Sequence, residues 1–255
     1  MKILIDNTLP MYIGPLAAIE TTLAAHNPFV IPTFDIFDKF SPDLYICNPS
    51  YITPAVVKNI QERPALKVVF IQRDQSEQTL KNKEQIEAIF GSGLYPWFED
   101  IPRADLLFYS KSEVNKDYLA DIVTFDSAIN PSINDFKFSS KLIYRIFSID
   151  KIKSNYYCGF VPDHSRKSIY KSSKVSISYG DNFYNSALCD CFPVSATSED
   201  EVLAALNTNN AKNIKQIKDQ IYSVNNNFTG LSNILNLVGC ESEAKKVLKK
   251  AEEVL

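Results

Sequence analysis

The chain has 255 residues and a mass of 28.8 kDa, enough for one large core or two smaller ones of about 100–130 residues each. Hydrophobic residues make up 45% and charged residues 22%, an ordinary balance for a globular protein. No apolar run approaches the ~20 residues of a membrane span. The five cysteines (Cys47, Cys158, Cys189, Cys191, Cys240) are an odd, scattered set. Cys189-x-Cys191 is too close for the usual zinc knuckle and has no partner pair, and only His26 and His164 are available, so metal and disulfide readings are disfavoured. Met1-Lys2 leads into a strand-like Ile3-Leu4-Ile5 and not into a signal peptide, and the expectation is reduced thiols in a cytoplasm.

In chain order, Lys2–Ile5 reads as a buried strand ended by Asp6-Asn7 and Pro10. Leu16–Ala25 has helical composition after the Gly14-Pro15 break, and Val30–Phe34 looks like the next strand. Asp43–Cys47 is a third strand; Thr53 is placed to cap a helix from Pro54 to about Glu62. Lys67–Ile71 is the clearest strand, running into Gln72-Arg73-Asp74, and Glu77–Phe90 follows as a helix. Ala104–Ser110 and Ile122–Phe125 read as two more strands with a helix Ser112–Leu119 between them. The polar stretch from Asn130-Pro131 is the best candidate boundary.

The same alternation then restarts. Strands are expected at Leu142–Phe147 and Asn155–Val161, with a helix from Arg166 to about Ser172 capped by Ser165. Helices follow at Glu199–Ala205, Ala211–Val224 and Glu241–Leu255, the last with Val247, Leu248, Ala251 and Leu255 as its apolar stripe. The economical fold is α/β: two Rossmann-like domains, 1–128 and 129–255, facing a cleft, with the C-terminal helix a candidate to pack back on the first. Charge follows the division. Residues 1–127 carry 11 Lys+Arg against 17 Asp+Glu, and residues 128–255 carry 16 against 13, so a basic second half suits an anionic ligand.

One stretch concentrates the chemistry: Lys174–Ala196, KVSISYGDNFYNSALCDCFPVSA. Alternating Val175, Ile177 and Tyr179 make a strand, Gly180-Asp181-Asn182 break it, a short helix runs from Phe183, and Phe192-Pro193-Val194 begin another strand. Ligands of open α/β sheets bind at such turns, because free N–H groups at the next helix start attract anions. The plain alternative is an ordinary strand–helix–strand unit with Asp181 or Asn182 as a helix cap. The seven glycines form neither G-x-G-x-x-G nor a P-loop, which disfavours a simple nucleotide-binding regulator.

The order of these segments resembles glycosyltransferases of the two-Rossmann (GT-B) kind. SIYKSSKVSISYGDNFYNSALCDCFPVSA is similar to the segment that holds the nucleotide-sugar donor in that family. A further likeness is to phage DNA β-glucosyltransferases, carried by PDLYICNPS, KVVFIQRD and YCGFVPDHSR. The resemblance implies that Asp74 is the catalytic base and that Arg166 contacts the donor diphosphate; Lys167 and Lys171 are secondary candidates to neutralise phosphate, on their charge alone. It implies donor contacts from Gly159, Tyr179, Gly180, Asp181, Asn182 and Ser186, and acceptor contacts from Asn7, Gly14, Arg73 and Trp97.

The implied donor is a nucleotide sugar, a UDP-sugar being the first guess, with no metal required and no covalent cofactor. The implied acceptor is a hydroxyl on DNA (a hydroxymethylated pyrimidine), a glycan, a protein or a small molecule. The implied location is cytoplasmic, that of a host cell if the chain is viral. Departures stand beside the likeness. Ser186 occupies the place of the family's ribose-gripping Glu, Phe183 that of an arginine, and Pro162 that of another, which leaves a non-catalytic scaffold of the same fold as the alternative. Each candidate also has a plain structural role open to it: Asp74 as a turn residue, Arg166 as a solvated charge, His164 as a loop residue, Trp97 as packing, and Cys189 with Cys191 as small apolar groups.

Overall fold

The computed structural model describes residues 1–6, 9, 16, 19, 22–26, 33–72, 77–99, 103, 105–109, 118–125, 131–208, 210–223 and 226–254. Five short strands make the first sheet: β1 (Lys2–Asp6), β2 (Thr22–His26), β3 (Leu44–Cys47), β4 (Lys67–Gln72) and β5 (Trp97–Glu99). They lie in the order β2-β1-β3-β4-β5, every neighbour parallel. Parallel strands need crossovers, and the described helices between them are α1 (Phe34–Phe40), α2 (Pro54–Gln61) and α3 (Glu77–Phe90). Thr53 caps α2 by accepting the Val56 N–H, with Pro54 at its first position. Leu4, Tyr45, Val68 and Phe70 of the strands pack with Phe37, Val56, Ile60 and Ile86 of these helices.

The second sheet comprises β6 (Ala120–Phe125), β7 (Tyr144–Phe147), β8 (Tyr157–Gly159), β9 (Ser173–Ile177) and β10 (Phe192–Val194). Its order is β10-β9-β6-β7-β8, again parallel throughout. Around it stand α4 (Asp163–Lys171), α5 (Asp181–Leu188), α6 (Glu199–Leu206) and α7 (Ala211–Ser223). Successive residues of a strand face opposite ways, and β6 divides accordingly. Ile122 joins the cluster that holds Val202 and Ala205 of α6, while Val123 and Phe125 join the one that holds Tyr170 of α4 with Cys189 and Cys191. Helices thus cover both faces, which is why β6 buries apolar residues on both, Ile122 on one and Val123 and Phe125 on the other.

The chain divides into two compact units, Met1–Ile101 with Asn227–Glu253, and Pro102–Asn226 with Val254–Leu255. Two further helices, α8 (Asn227–Leu237) and α9 (Glu241–Val254), therefore complete the first unit. Lys67, the first residue of β4, fastens them there: its ammonium donates 2.7 Å to the Val238 carbonyl and lies 3.3 Å from the Cys240 thiol. No helix among the described residues is long and apolar enough to cross a membrane.

Several elements differ from expectation. The helix expected over Leu16–Ala25 gives way at Thr22 to strand β2, whose pairing with β1 sets Lys2 against Thr22 and Asp6 against His26. Phe34, expected to close a strand, opens helix α1. Leu106–Phe108 form a 3₁₀ turn and not a strand. The strand at Ile122–Phe125, assigned from sequence to the first domain, is the middle strand of the second sheet. Helix α8 was not expected at all.

All five cysteines are free, and only Cys158 is exposed. Burial pushes the Cys189 thiol up to about 12, against the pull of Lys167, Lys171 and Lys218, and burial likewise raises Cys47 and Cys191. At pH 8 the native chain should release one fast equivalent from Ellman's reagent, from Cys158, and five after denaturation; Cys158→Ser should remove the fast one.

Candidate functional site

In an open α/β sheet, the crevice for a ligand forms where the strand order reverses. In the second sheet that point lies between β6 and β9, because the chain builds outward from β6 through β7 to β8, then returns to place β9 and β10 on the other side. The two strands separate at an identifiable pair. Thr124 stands in register with Ile177 and its hydroxyl donates 2.9 Å to the Ile177 carbonyl. One residue later they part: Phe125 pairs with Phe147 of β7, and the Ser178 N–H donates 3.0 Å to Val194 beyond β9's other edge.

Gly180 sits at the mouth of this divergence. Its φ of 56° with ψ of −134° is a conformation reached almost only by glycine, and it caps α5 without supplying any side-chain acceptor. The first-turn N–H groups of α5 thus begin at the carboxyl edge of the sheet without a side-chain cap, a setting that favours an anion. Tyr179 braces the turn from the other side, its hydroxyl donating to the Ala196 carbonyl past β10. The Ser195 hydroxyl donates 3.1 Å to the Ser178 carbonyl, so two bonds to the Ser195-Ala196 segment hold the turn.

Arg166 spans the divergence. It stands in the first turns of α4, its guanidinium carbon 5.2 Å from the centre of the Phe125 ring, and its Nη1 donates 3.4 Å to Asn182 Oδ1. The Tyr170 hydroxyl, one helical turn later, donates to the same Asn182 oxygen at 3.3 Å. One cation therefore touches the end of β6 and the start of α5 together. Asp181 is turned toward the preceding segment, where it accepts the Arg103 N–H at 2.8 Å, and Asn185 accepts the Asp105 N–H at 2.7 Å. Arg103 itself is 5% exposed. The Arg103–Asp105 contacts were not foreseen; nothing in the local sequence marks residues 80 positions apart as neighbours.

The other candidates fall as follows. Gly180, Asp181, Asn182, Tyr179 and Arg166 come together. Gly159 closes β8 with φ of 100°, at the same edge of the sheet but two strands beyond β6, about 10 Å away. Lys171 is the last residue of α4 and lies two positions before β9 begins, so the ~16 Å rise of that strand separates it from Gly180. It does not reach the turn. Lys167 donates 2.7 Å to the Tyr109 carbonyl. Ser186 is wholly buried and gives its hydroxyl to the Phe183 carbonyl at 3.0 Å, so it faces the packing of α5 and no ligand. Cys189 and Cys191 pack as apolar groups in the core.

On the first sheet the order reverses between β1 and β3. Two buried polar residues mark that point: Asp6 at the end of β1, 2% exposed, and Asn48 just after β3, which caps the following turn by accepting the Ser50 N–H at 3.0 Å. In the sequence Asp6 reads only as the end of a strand. Trp97 opens the edge strand β5 with its ring stacked on Phe70, centroids 4.9 Å apart, and the Lys83 ammonium 5.0 Å from the ring centre. Packing occupies it. Asp74, Arg73, Asn7 and Gly14 lie outside the described residues. Among the described residues, no three His, Cys, Asp or Glu side chains come together as metal ligands would.

Comparison with known proteins adds the following. No protein-family model matches the sequence, and no curated protein matches it. Among solved structures, the chain is similar to the T4 phage BGT in complex with its UDP-glucose substrate, at 11% identity and a TM-score of 0.46, covering 100% of this chain and 97% of that one. It is similar to a DNA-modifying β-glucosyltransferase solved with and without uridine diphosphoglucose, at 12% identity and 0.45, over 100% and 97%. It is also similar to SsfS6, a glycosyltransferase of Streptomyces sp. SF2575, at 9% identity and 0.39, over 99% and 96%.

Gly180→Ala tests the turn. A β-carbon there would meet nothing within 4 Å, so the cost is purely conformational. It should lower unfolding stability by about 1–3 kcal/mol, read from the urea midpoint; an unchanged midpoint would mean the turn relaxes at no cost.

Proposed function

We propose that this chain is a glycosyltransferase that takes a sugar from a nucleotide-sugar donor held by the second unit and passes it to a hydroxyl acceptor. The observation that carries the proposal is the Arg166–Asn182 contact at the sheet's divergence, beside a glycine turn that starts a helix with no side-chain cap. A diphosphate suits this place, because a guanidinium and helix N–H groups complement its charge without a further partner. Asn182 and the backbone at Gly180 are the groups nearest to hold a ribose or sugar hydroxyl.

The chemistry follows from the leaving group. The acceptor oxygen bonds to the anomeric carbon as the carbon–oxygen bond to the diphosphate breaks, and the nucleoside diphosphate leaves with the electron pair. Arg166 and the amino end of α5 stabilise the charge that develops on it. The acceptor's proton goes to a carboxylate, for which we assign Asp74, which follows β4 in the chain, the strand beside β3 of the reversal point. The acceptor is proposed as a hydroxyl compound, with hydroxymethylated pyrimidine in DNA the first to try. The acidic first half offers little cation to a phosphate backbone, so glycan, protein and small-molecule hydroxyls stand beside it.

One observation favours a second reading, a binding protein of this fold without catalysis. Ser186 stands where the resemblance implies a ribose-gripping carboxylate, and its burial leaves α5 without one at that position. Thermal shift separates the readings. UDP or a UDP-sugar at 100 times its dissociation constant should stabilise the chain by ~2.7 kcal/mol, and Arg166→Gln should remove most of that shift. Stabilisation by no nucleoside diphosphate or nucleotide sugar would end the proposal.

Given a donor, Asp74→Asn should cut transfer by at least ~100-fold while leaving donor affinity within about twofold. Turnover retained in that variant would take Asp74 out of the mechanism. Donor binding without any turnover in the parent chain would leave the binding-protein reading standing.

A further inference from the structure

The second unit carries a groove of about 560 Å³ at the other end of its sheet. Lys174 and Val175, the beginning of β9, line it, as does Phe192, the beginning of β10. It is therefore displaced from the Gly180 turn by the length of β9, about 16 Å. Helix α7 forms one wall. Ala211, Ile214, Lys215 and Lys218 of that helix line the groove, and their i, i+3, i+4, i+7 spacing puts them on one face. Ile221, in the last turns of α7, is fully buried, whereas on the groove face Ile214 and Lys218 are partly buried and Ala211 and Lys215 are exposed.

The lining has two parts. Phe192, Leu206 and Ile214 supply an apolar floor, while Lys174, Lys215 and Lys218 supply the cations. Two of those cations are already balanced: Lys174 pairs with Asp121 at 2.6 Å and Lys218 with Asp190 at 2.5 Å. Lys215 has no ion-pair partner among the described residues. The groove thus holds one excess positive charge beside an apolar seat, in a volume within the range that small-molecule sites occupy.

We propose that this groove binds a small amphipathic monoanion: an apolar ring or short chain seated on Phe192, Leu206 and Ile214, with one acidic group against Lys215. The site belongs to the second unit alone and stands whether or not a nucleotide binds at the Gly180 turn.

The probe is 1-anilinonaphthalene-8-sulfonate, an aromatic body with a single negative charge, titrated into the full chain and followed by fluorescence. One saturable site is expected. Lys215→Glu should weaken it about tenfold, and the neutral analogue N-phenyl-1-naphthylamine should bind about tenfold more weakly than the sulfonate. Ile214→Asp should weaken it further, and saturating UDP should leave it unchanged. Melting curves of both variants, whose sites are not in the buried core, check that they are folded. Non-saturating binding, equal affinity in both folded variants, equal affinity for the neutral dye, or displacement by UDP would each overturn the proposal. A chain that binds the dye as described but no nucleotide would remove the donor reading and leave this one intact.

Discussion

Two strands that run side by side as far as Thr124 and Ile177, beyond which each keeps only its outer partner, are the constraint from which the second unit follows. The hydroxyl of Thr124 on the Ile177 carbonyl is the last tie between them. Beyond it, the backbone groups of Phe125 are claimed by β7, and those of Ser178 by Val194, the last residue of β10, and by Ser195 just after it. A gap between parallel strands opens where the ladder ends. Whatever enters it meets the exposed amino end of a helix and not a completed sheet.

The gap is shaped by residues that sequence order scatters. Arg166 comes from the helix that returns across the sheet, Phe125 from the central strand, and Asn182 from the helix after the turn. The guanidinium is flat and can lie over the Phe125 ring while its edge still donates, a double use that an ammonium could not match. The tyrosine ring of Tyr170, 5.0 Å from Phe125 and fully buried, backs the arrangement from the core side. The turn is thus seated on packed side chains, and its polar groups inherit their positions from that packing.

Much of this was legible before the structure. Lys67–Ile71 announces a strand because its four residues after the lysine are β-branched or apolar, and the Gly180-Asp181-Asn182 break stands out between two apolar segments. Other features were hidden for physical reasons. The strand TLAAH carries two alanines, which fit helix composition as well as strand, and only its pairing with β1 decides the matter. Helix α8 buries Phe228, Leu231, Ile234 and Leu235 at helical spacing, but Asn227, Gly230 and Ser232 are buried with them, so polar and small residues mask its buried face in the sequence. Ser186 looks available in sequence because serine usually faces water, yet α5 turns Asn185 through Leu188 inward. The contact of Asp181 with Arg103 depends on a fold-level approach across 78 positions, which no local pattern encodes.

The path of the backbone has a consequence for how the molecule comes into being. The first sheet and its early helices are made first, but α8 and α9, which complete that unit, are specified only by residues after 226. During synthesis the whole intervening unit emerges before Lys67 can meet the Val238 carbonyl. Loop-closure entropy grows only slowly with length, so a folded insert costs this late docking little. The apolar face that α8 will cover nonetheless stands exposed in the meantime, and the nascent chain is most prone to aggregation in that interval.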